Sequence, residues 1–384
     1  MPRKPAEPGR TESERPYTAL VLQGGGALGA YQAGAFESLA AHTAHIDWVA
    51  GVSIGAINAA LIAGNPPERR IERLHAFWER VSLPVTVPHG MDSHDSVRPW
   101  WNNGAALWGM LLGVPGFFAP RPWWEWWPRP PASVYDTAPL RETLQDLVDF
   151  DRLNDGPMRF SVEAVDVETG NLIHFDNRNL RIRPEHVMAS GALPPGFPPI
   201  EIDGRHYWDG GLVSNTPLAE VMEQLPALAP RSATIFQIDL FSARGSVPNS
   251  LDAVGEREKD IRFSSRTRLV SDLVRERHQL HRDLKALVAL LPERQRARAE
   301  VQALLAENAQ PAVTLVHVIH RRKPYESQNK DYEFSAQSMR EHWVAGMSDM
   351  QASLALLATR RPPCAGGFCV IDHQAPQTEL RYGD

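Results

Sequence analysis

The sequence predicts an α/β protein with a mainly parallel sheet, on two observations. Apolar segments with strand character alternate with helical segments along the first 240 residues. Two of the strand-to-helix junctions, at residues 24–26 and 51–55, are rich in glycine. Alternation of this kind is typical of parallel sheets, because each strand needs a crossover before the next one. Functional groups are then expected at strand ends, where such sheets place their sites.

Hydrophobic periodicity places the individual elements. Strands are predicted near residues 17–23, 46–50, 158–167, 171–176 and 233–239. Helices are predicted near residues 28–41, 55–63, 67–80 and 138–149.

Ser53 is at the centre of a Gly-x-Ser-x-Gly pentapeptide, between an apolar strand and a helix-like run. A sharp strand-to-helix turn crowds the backbone, and Gly51 and Gly55 leave room for the serine hydroxyl to project. The positive end of the following helix favours the negative charge that develops when a serine attacks a carbonyl. The alternative is that Ser53 is a helix N-cap, because small residues flank serine at many helix starts.

The glycine triplet, Gly24, Gly25 and Gly26, also has two interpretations. Without side chains, its N–H groups can approach an oxyanion at hydrogen-bonding distance. The stretch ending at Gly29 also satisfies the Gly-x-Gly-x-x-Gly dinucleotide fingerprint, and Asp47 lies roughly 20 residues on, where a ribose-binding acid is expected. That acid should end a strand, however, whereas Asp47 begins one.

Asp209 belongs to a third motif, Trp208-Asp209-Gly210-Gly211, at the end of a short alternating segment. Asp-Gly alone indicates a hairpin turn. The second glycine, and the Asn-x-Pro that begins at Asn215, are more than a turn needs. Asp209 is therefore a candidate functional residue.

In this order, the three motifs resemble the patatin-like phospholipase family, and the proline-rich segment at residues 189–199 is similar to that of the family as well. The resemblance spans about residues 17–240 and implies a three-layer α/β/α sandwich. One position departs from the pattern: Leu28 stands where many relatives carry a basic residue. Backbone donors survive this change, but a contribution of that base to binding anionic head groups is lost.

The resemblance implies that Ser53 is the nucleophile, that Asp209 is its partner, and that the backbone of residues 24–26 forms the oxyanion hole. Asp209 would take the proton as Ser53 attacks an ester, giving an acyl-enzyme that water hydrolyses. A carboxylate with an ordinary pKa of about 3.9 is a weak base for a serine, so the loop amides must supply most of the barrier reduction.

Two further residues are candidates for the base. His206 is the histidine nearest to Asp209 in sequence, but in an extended segment residues three apart point to opposite faces. Asp166 follows a strand, and the Glu-Thr-Gly after it indicates a turn role.

Composition agrees with a soluble enzyme: the chain has 384 residues, of which 43% are hydrophobic. A net charge of −6 argues against nucleic acid as a partner. Residues 1–16 are polar and predict a disordered leader of a cytoplasmic protein. The chain has two cysteines and no His/Cys/Asp/Glu group at ligand spacing, so we predict no metal and no cofactor.

An insertion at about residues 84–131 contains seven of the 11 tryptophans. They are Trp100, Trp101, Trp108, Trp123, Trp124, Trp126 and Trp127. The apolar stretch between them is shorter than the roughly 20 residues of a membrane span, and glycine and proline interrupt it. Tryptophan favours the membrane interface, so residues 100–127 are expected to form a lid or a peripheral lipid contact. Internal packing of the aromatic residues and a dimer contact are the alternatives.

Residues 245–384 are predicted to form a mostly helical C-terminal extension, with a strand at 312–319 and a helix near 335–357. An amphipathic helix pattern is carried by Leu269, Leu273, Leu280, Leu284, Leu287 and Leu291. A second helix is predicted at 294–308. Packing on the protein's own domain is the favoured role of these helices, and self-association or contact of the arginines with lipid head groups are the alternatives.

Three function hypotheses follow. The first is hydrolysis of acyl esters in phospholipid or a related lipid by Ser53 and Asp209. The second keeps this site but changes the substrate to a thioester or a hydroxyacid polyester. The third is a membrane-associated scaffold without catalytic activity.

Overall fold

The computed structural model describes residues 15–43, 45–84, 98–128, 130–228, 231–307, 311–321, 326, 329–360 and 367–372. The strands are β1 (Tyr17–Leu22), β2 (Trp48–Gly51), β3 (Ala119–Pro120), β4 (Tyr135–Asp136), β5 (Arg159–Asp166), β6 (Leu172–Asp176), β7 (Ile200–Ile202), β8 (Arg205–Asp209), β9 (Ser232–Asp239), β10 (Ala312–Ile319) and β11 (Phe368–Ile371). The helices are α1 (Gly29–His42), α2 (Ile54–Ala63), α3 (Arg70–Arg80), α4 (Arg98–Leu112), α5 (Ala138–Leu147), α6 (Phe150–Asp155), α7 (Pro184–Ser190), α8 (Leu218–Gln224), α9 (Leu251–Ala289), α10 (Glu293–Arg296), α11 (Ala299–Glu307) and α12 (Ala336–Ala358).

The strands and helices predicted before residue 240 are all present, with ends that differ by a few residues. Residues 1–14 of the predicted leader lie outside the described residues. Arg15, at the end of that leader, forms an ion pair with Asp47.

Within the described residues, nine strands form one sheet in the order β11-β10-β9-β1-β2-β5-β8-β7, with β6 also paired to β5. The pairings from β11 through β5 are parallel. The pairings of β5 with β6, β5 with β8, and β7 with β8 are antiparallel. The predicted mainly parallel sheet is confirmed.

Helices cover both faces of this sheet. Alternate residues of β1 enter two different hydrophobic cores: Leu20 and Leu22 pack in the larger core, and Ala19 and Val21 in the smaller one. Helices α1, α2, α3 and α12 bury side chains in the larger core, and α8 buries side chains in the smaller. A strand buried on both faces has a near-continuous apolar sequence, as β1 does. The fold is a three-layer α/β/α sandwich.

The C-terminal region, predicted as an extension from residue 245, supplies two strands of the same sheet. β10 pairs in parallel with β9, and β11 pairs with β10. Helix α12 packs so closely on α1 that two positions leave no room for a side chain. A Cβ on Gly346 would lie 1.9 Å from the Tyr31 carbonyl oxygen, and one on Gly34 would lie 1.9 Å from the Trp343 carbonyl oxygen. Sheet and helix layer therefore continue across the boundary predicted from composition.

The insertion predicted at 84–131 contains α4 and β3, and β3 pairs with β4. Most of its described tryptophans are on the surface: Trp123 is 80% exposed and Trp127 is 84% exposed. Internal packing of these aromatic side chains is therefore wrong as an interpretation. Phe117 and Phe118 of the same segment are buried in the larger core.

Helices α9, α10 and α11 contain the predicted amphipathic pattern. Leu273, Leu280 and Leu287 are exposed, so the prediction that this face packs on the protein's own domain is wrong for these three side chains. Leu284 and Leu291 are partly buried. The side chain of Leu269 lies outside the described residues. The apolar spacing predicted the helix correctly, but it did not show what covers the helix.

Candidate functional site

Ser53 occupies the turn between β2 and α2 with a φ of 56°. Residues with side chains rarely adopt this conformation, and it persists where the surroundings enforce it. A Cβ on Gly51 would lie 2.3 Å from the Gly55 carbonyl oxygen, and one on Gly55 would lie 2.4 Å from the Leu22 carbonyl oxygen. Ser53 is the N-cap residue of α2, but its side chain makes no capping hydrogen bond. The hydroxyl therefore does not act as a helix cap.

The group beside the hydroxyl is the Asp209 carboxyl, and the interaction with Ser53 lowers the pKa of that carboxyl. The Gly211 amide donates to Asp209 Oδ1 at 2.7 Å. A Cβ on Gly210 would lie 2.6 Å from the Glu163 carbonyl oxygen, so this position also needs glycine. The structure brings together the serine and the aspartate that the motifs singled out.

Burial of the Asp209 side chain raises its pKa to about 7, against the lowering effect of hydrogen bonds from Ser53 and Gly211. The carboxyl is 2% exposed, and desolvation disfavours its charged form. The sequence-based expectation of an ordinary, weakly basic carboxylate is therefore corrected. A base with a pKa near neutrality is better matched to proton transfer at neutral pH.

Strand β5 explains how the two residues meet. Because β6 pairs with residues 161–165 of β5, both β2 and β8 must pair along its other edge. Gly51 at the end of β2 lies opposite Val162, and Asp209 at the end of β8 lies opposite Ala164. The two strand ends are thus two residues apart along one edge.

The segment after α7 holds both residues in place. The Ser53 amide donates to the Ser190 carbonyl oxygen and to Ser190 Oγ, each at 3.1 Å. Ser190 Oγ in turn donates to the Glu163 carbonyl oxygen at 2.6 Å. The Asp209 amide donates to the Ala192 carbonyl oxygen at 3.0 Å. Sequence reasoning noted this segment but did not identify Ser190 as a positioning residue.

The three residues of the glycine triplet differ in whether their backbone amides already have an acceptor. The Gly24 amide donates to the Asn215 carbonyl oxygen at 3.1 Å, and Asn215 Nδ2 donates to the Gly24 carbonyl oxygen at 3.1 Å. Gly24 is therefore not a free donor, which corrects its expected place in an oxyanion hole. Within the described part of the chain, the amides of Gly25 and Gly26 donate to no protein acceptor. Ile54 is the first residue of α2, where an amide has no acceptor within the helix.

Ser53 and Asp209 line an apolar cavity that is open to solvent. The glycine triplet, Ser53, Asp209 and Asn215 line its polar end. Its apolar wall is mainly aromatic and comes from three parts of the chain: Phe117, Phe118, Phe197, Phe241, Phe263, Tyr332 and Phe334. The insertion and the C-terminal region thus complete the cavity, which sequence reasoning did not foresee.

The competing bases have other roles. His206 is exposed. The Asp166 carboxylate accepts the amides of Glu168 and Thr169 at 3.0 Å each, so the predicted turn role of Asp166 is confirmed.

Asp47, the acid that the dinucleotide interpretation requires, makes other contacts. Asp47 stands directly before β2, where it accepts the Thr18 amide at 2.8 Å and pairs with Arg15. Leu28, at the position where the resemblance implies a basic residue in relatives, is completely buried.

Two clusters of histidine and glutamate lie outside this site. The described residues bring together His320, Glu326 and His342 in one cluster, and Glu163, His174 and Glu220 in the other. Sequence spacing gave no sign of either, because each cluster joins different secondary-structure elements.

The three-layer fold, with a strained Gly-x-Ser-x-Gly turn beside a buried acid, defines the class as an α/β protein. The family model described as patatin-like phospholipase matches residues 20–222, and one described as patatin phospholipase matches residues 261–364. The chain belongs to the patatin-like phospholipase family.

Individual relatives are distant. The chain is 25% identical over 209 residues to the patatin-like phospholipase domain-containing protein ZK370.4 of Caenorhabditis elegans, a match that covers 54% of this chain and 13% of that protein. Among solved structures, VipD from Legionella pneumophila has a TM-score of 0.40 and 14% identity, with 91% of this chain and 69% of that chain covered. The type III effector protein ExoU has a TM-score of 0.35 and 13% identity, with 90% and 54% covered.

No described helix combines the length and the apolar composition that crossing a bilayer requires.

Proposed function

We propose that the protein is a lipid acyl hydrolase that cleaves carboxylic esters through Ser53 and Asp209. The observation that carries this proposal is the position of Ser53 beside the buried Asp209 at the polar end of an aromatic cavity. Family membership supports lipid as the substrate class.

In the first step, Ser53 Oγ attacks the ester carbonyl carbon while its proton passes to Asp209. The carbonyl oxygen becomes an oxyanion that the amides of Gly25, Gly26 and Ile54 stabilise. The tetrahedral intermediate then collapses: the bond to the alcohol oxygen breaks, and Asp209 returns the proton to the leaving alcohol. The products are an acyl ester on Ser53 and a free alcohol or lyso-lipid.

In the second step, water takes the place of the alcohol. Asp209 accepts a proton from a water molecule while the water oxygen attacks the acyl carbonyl carbon. The proton then returns to Ser53 Oγ as the fatty acid leaves. This chemistry uses protein groups alone. The aromatic wall supplies apolar surface for an acyl chain.

Mass spectrometry of products from mixed phospholipid liposomes tests the proposal. We expect wild-type protein to release fatty acid and lyso-lipid. The rate of release should be lower by at least about 10³-fold in Ser53→Ala and in Asp209→Asn. Asp203→Asn is a matched control, because Asp203 is exposed in the turn between β7 and β8. Release that survives in Ser53→Ala would remove the serine from the mechanism.

Other substrates are outcomes of the same design. Turnover of acyl thioesters or hydroxyacid polyesters, lost in Ser53→Ala and absent with phospholipid, would replace the lipid substrate and keep the dyad. An unchanged cellular lipid pool after both dyad substitutions, with no turnover of any ester, would favour a scaffold.

We also propose that the insertion contacts a lipid surface. Its exposed apolar side chains are Trp101, Trp108, Leu111, Leu112, Trp123, Trp124, Trp126 and Trp127. Tryptophan suits the interface, because its ring is apolar while its N–H needs a polar partner. The same segment continues inward to Phe117 and Phe118 on the cavity wall, so a docked lipid would face the route to Ser53.

Liposome sedimentation tests this contact with the double variant Trp123→Ser/Trp127→Ser. We expect it to bind liposomes several-fold more weakly than wild type while keeping its activity on a soluble ester. The control is Leu287→Ser/Leu290→Ser, which removes equally exposed apolar side chains at the end of α9. Unchanged liposome binding together with a smaller mass in solution would make the tryptophan surface a dimer contact instead.

A further inference from the structure

A buried acidic cluster lies on β5, β6 and α8, outside the cavity that contains Ser53. Glu163 on β5 pairs directly across the strands with His174 on β6. Glu220 on α8 approaches the same histidine. The side chains of Glu163 and Glu220 are 1% and 2% exposed, whereas that of His174 is 37% exposed. The cluster is thus closed on the carboxylate side and reachable from solvent at the imidazole.

The distances within the cluster match those between ligands of one metal ion. His174 Nδ1 lies 3.5 Å from Glu163 Oε1 and 3.4 Å from Glu220 Oε2. The three donor atoms are all within 4.8 Å of one another. Two ligands at about 2.1 Å from a tetrahedral Zn²⁺ are about 3.4 Å apart. One ion can therefore contact all three groups after small side-chain movements.

The two carboxylates have unused binding capacity. Glu163 Oε2 and Glu220 Oε1 are buried and accept no hydrogen bond from the described residues. Glu220 Oε2 accepts the Ser161 hydroxyl at 3.0 Å. Buried carboxylates are normally paired or bound to metal.

We propose that Glu163, His174 and Glu220 bind a first-row divalent cation, with Zn²⁺ as the best fit. Two carboxylate oxygens and one imidazole nitrogen suit Zn²⁺ or Mn²⁺ better than Ca²⁺, which prefers six to eight oxygens. Water at the open side, beside the exposed edge of His174, completes the coordination. This site revises the prediction of no metal.

The site is structural and does not touch the reacting atoms. Glu163 is connected to the dyad through its backbone, because its carbonyl oxygen accepts Ser190 Oγ and Ser190 holds the Ser53 amide. A bound ion would tie β5, β6 and α8 together directly behind this support.

Metal content and thermal stability of the full-length protein test the site. After removal of metal with a chelator, we expect one Zn²⁺ to bind per chain and to raise Tm. Titration with Mn²⁺, Mg²⁺ and Ca²⁺ ranks the affinities of the site for these cations against that for Zn²⁺. His174→Asn and Glu220→Gln should weaken Zn²⁺ binding at least about tenfold and abolish the Tm increase. His174 is accessible and Gln preserves the shape of Glu220, so these variants are suited to keeping the fold.

The matched controls are Glu201→Gln and His206→Asn. Glu201 and His206 also face each other across two paired strands, but both are exposed. They should bind Zn²⁺ as wild type does. Absence of saturable binding, or binding that survives in His174→Asn, would overturn the proposal. Loss of binding in His342→Gln alone would assign the metal to the cluster of His320, Glu326 and His342 and equally overturn it.

Discussion

At the scale of single residues, the site depends on what burial does to Asp209. The carboxyl lies in a desolvated position that raises its pKa to about 7, while the Ser53 hydroxyl and the Gly211 amide stabilise its charged form. In the proposed mechanism the ionised form is the base, and desolvation makes it the less stable form. Function and stability therefore depend on pH in opposite directions at this residue.

We expect kcat/KM for a soluble ester to rise with pH and to reach half its plateau near pH 7. Only ionised Asp209 can accept the Ser53 proton, and the fraction ionised falls below its pKa of about 7. A pH–rate profile of the free enzyme measures this directly. A half-maximum near pH 4 would show that the carboxyl behaves as it does in water.

Asp209→Asn should stabilise the protein at pH 8, and by a smaller amount at pH 5. A folded-state pKa raised from 3.8 to about 7 means that stability present at low pH is lost as pH rises through that range. The asparagine side chain is never charged, so the variant does not lose this stability. At pH 8 we expect its free energy of unfolding to exceed that of wild type by roughly 1–4 kcal/mol. Chemical denaturation of both proteins at the two pH values gives the comparison, and equal stability at pH 8 would contradict it.

Ser190→Ala should lower kcat by about tenfold or more and change KM little. The substitution removes the Oγ that accepts the Ser53 amide and donates to the Glu163 carbonyl, at a cost of about 1–3 kcal/mol. Steady-state kinetics separates kcat from KM. Ser353→Ala on α12, also buried, is a control for general destabilisation and should keep its rate.

At the scale of secondary structure, hydrogen bonds join α12 to α1 in addition to their apolar packing. Trp343 Nε1 donates to Glu37 at 2.6 Å, and the Tyr31 hydroxyl donates to Asp349 at 2.7 Å. Ser38 Oγ donates to the Met347 carbonyl oxygen at 3.0 Å. These bonds join a helix of the first 50 residues to one near the C-terminus, and the two glycines at the crossing make the approach possible.

Gly346→Leu should destabilise the protein by about 3 kcal/mol or more. Even a Cβ would meet the Tyr31 carbonyl oxygen at 1.9 Å, and a backbone atom cannot rotate away. Thermal unfolding measures the change. Gly104→Ala is the matched control on another helix, because a Cβ there meets nothing within 4 Å, and alanine favours helix. A tolerated leucine would show that the helices can separate.

At the scale of the whole molecule, the sheet is continuous from β11 to β7, and the cavity takes its walls from most of the chain. Phe263, Tyr332 and Phe334 come from beyond the predicted boundary. Removing the C-terminal region would expose the β9 edge that pairs with β10, and unpaired strand edges promote aggregation.

A chain ending at residue 244 should therefore be insoluble or aggregated. It lacks β10, β11 and α12, and the apolar faces that they cover become exposed to water. A control chain that ends at Asp372 retains all the described elements and should be soluble. Size-exclusion chromatography after expression of both chains tests this, and a monomeric, active 244-residue chain would define an independent catalytic domain.

The sequence by itself determined the strand and helix order and the turn that carries Ser53, and its motifs singled out Asp209. These depend on local rules: periodicity, glycine at crowded turns, and motifs whose chemistry needs particular residue types. Residues 20–22 illustrate this, because a continuous apolar run predicts a strand buried on both faces.

Only the tertiary structure decided the rest, because it depends on contacts between residues far apart in sequence. Asn215 occupies the Gly24 amide, Ser190 supports the dyad, and burial changes the pKa of Asp209. The composition shift near residue 245 indicated a separate region, yet β10 completes the sheet. Hydrogen-bond partners and desolvation are properties of neighbours in space, and a single sequence does not state which neighbours those are.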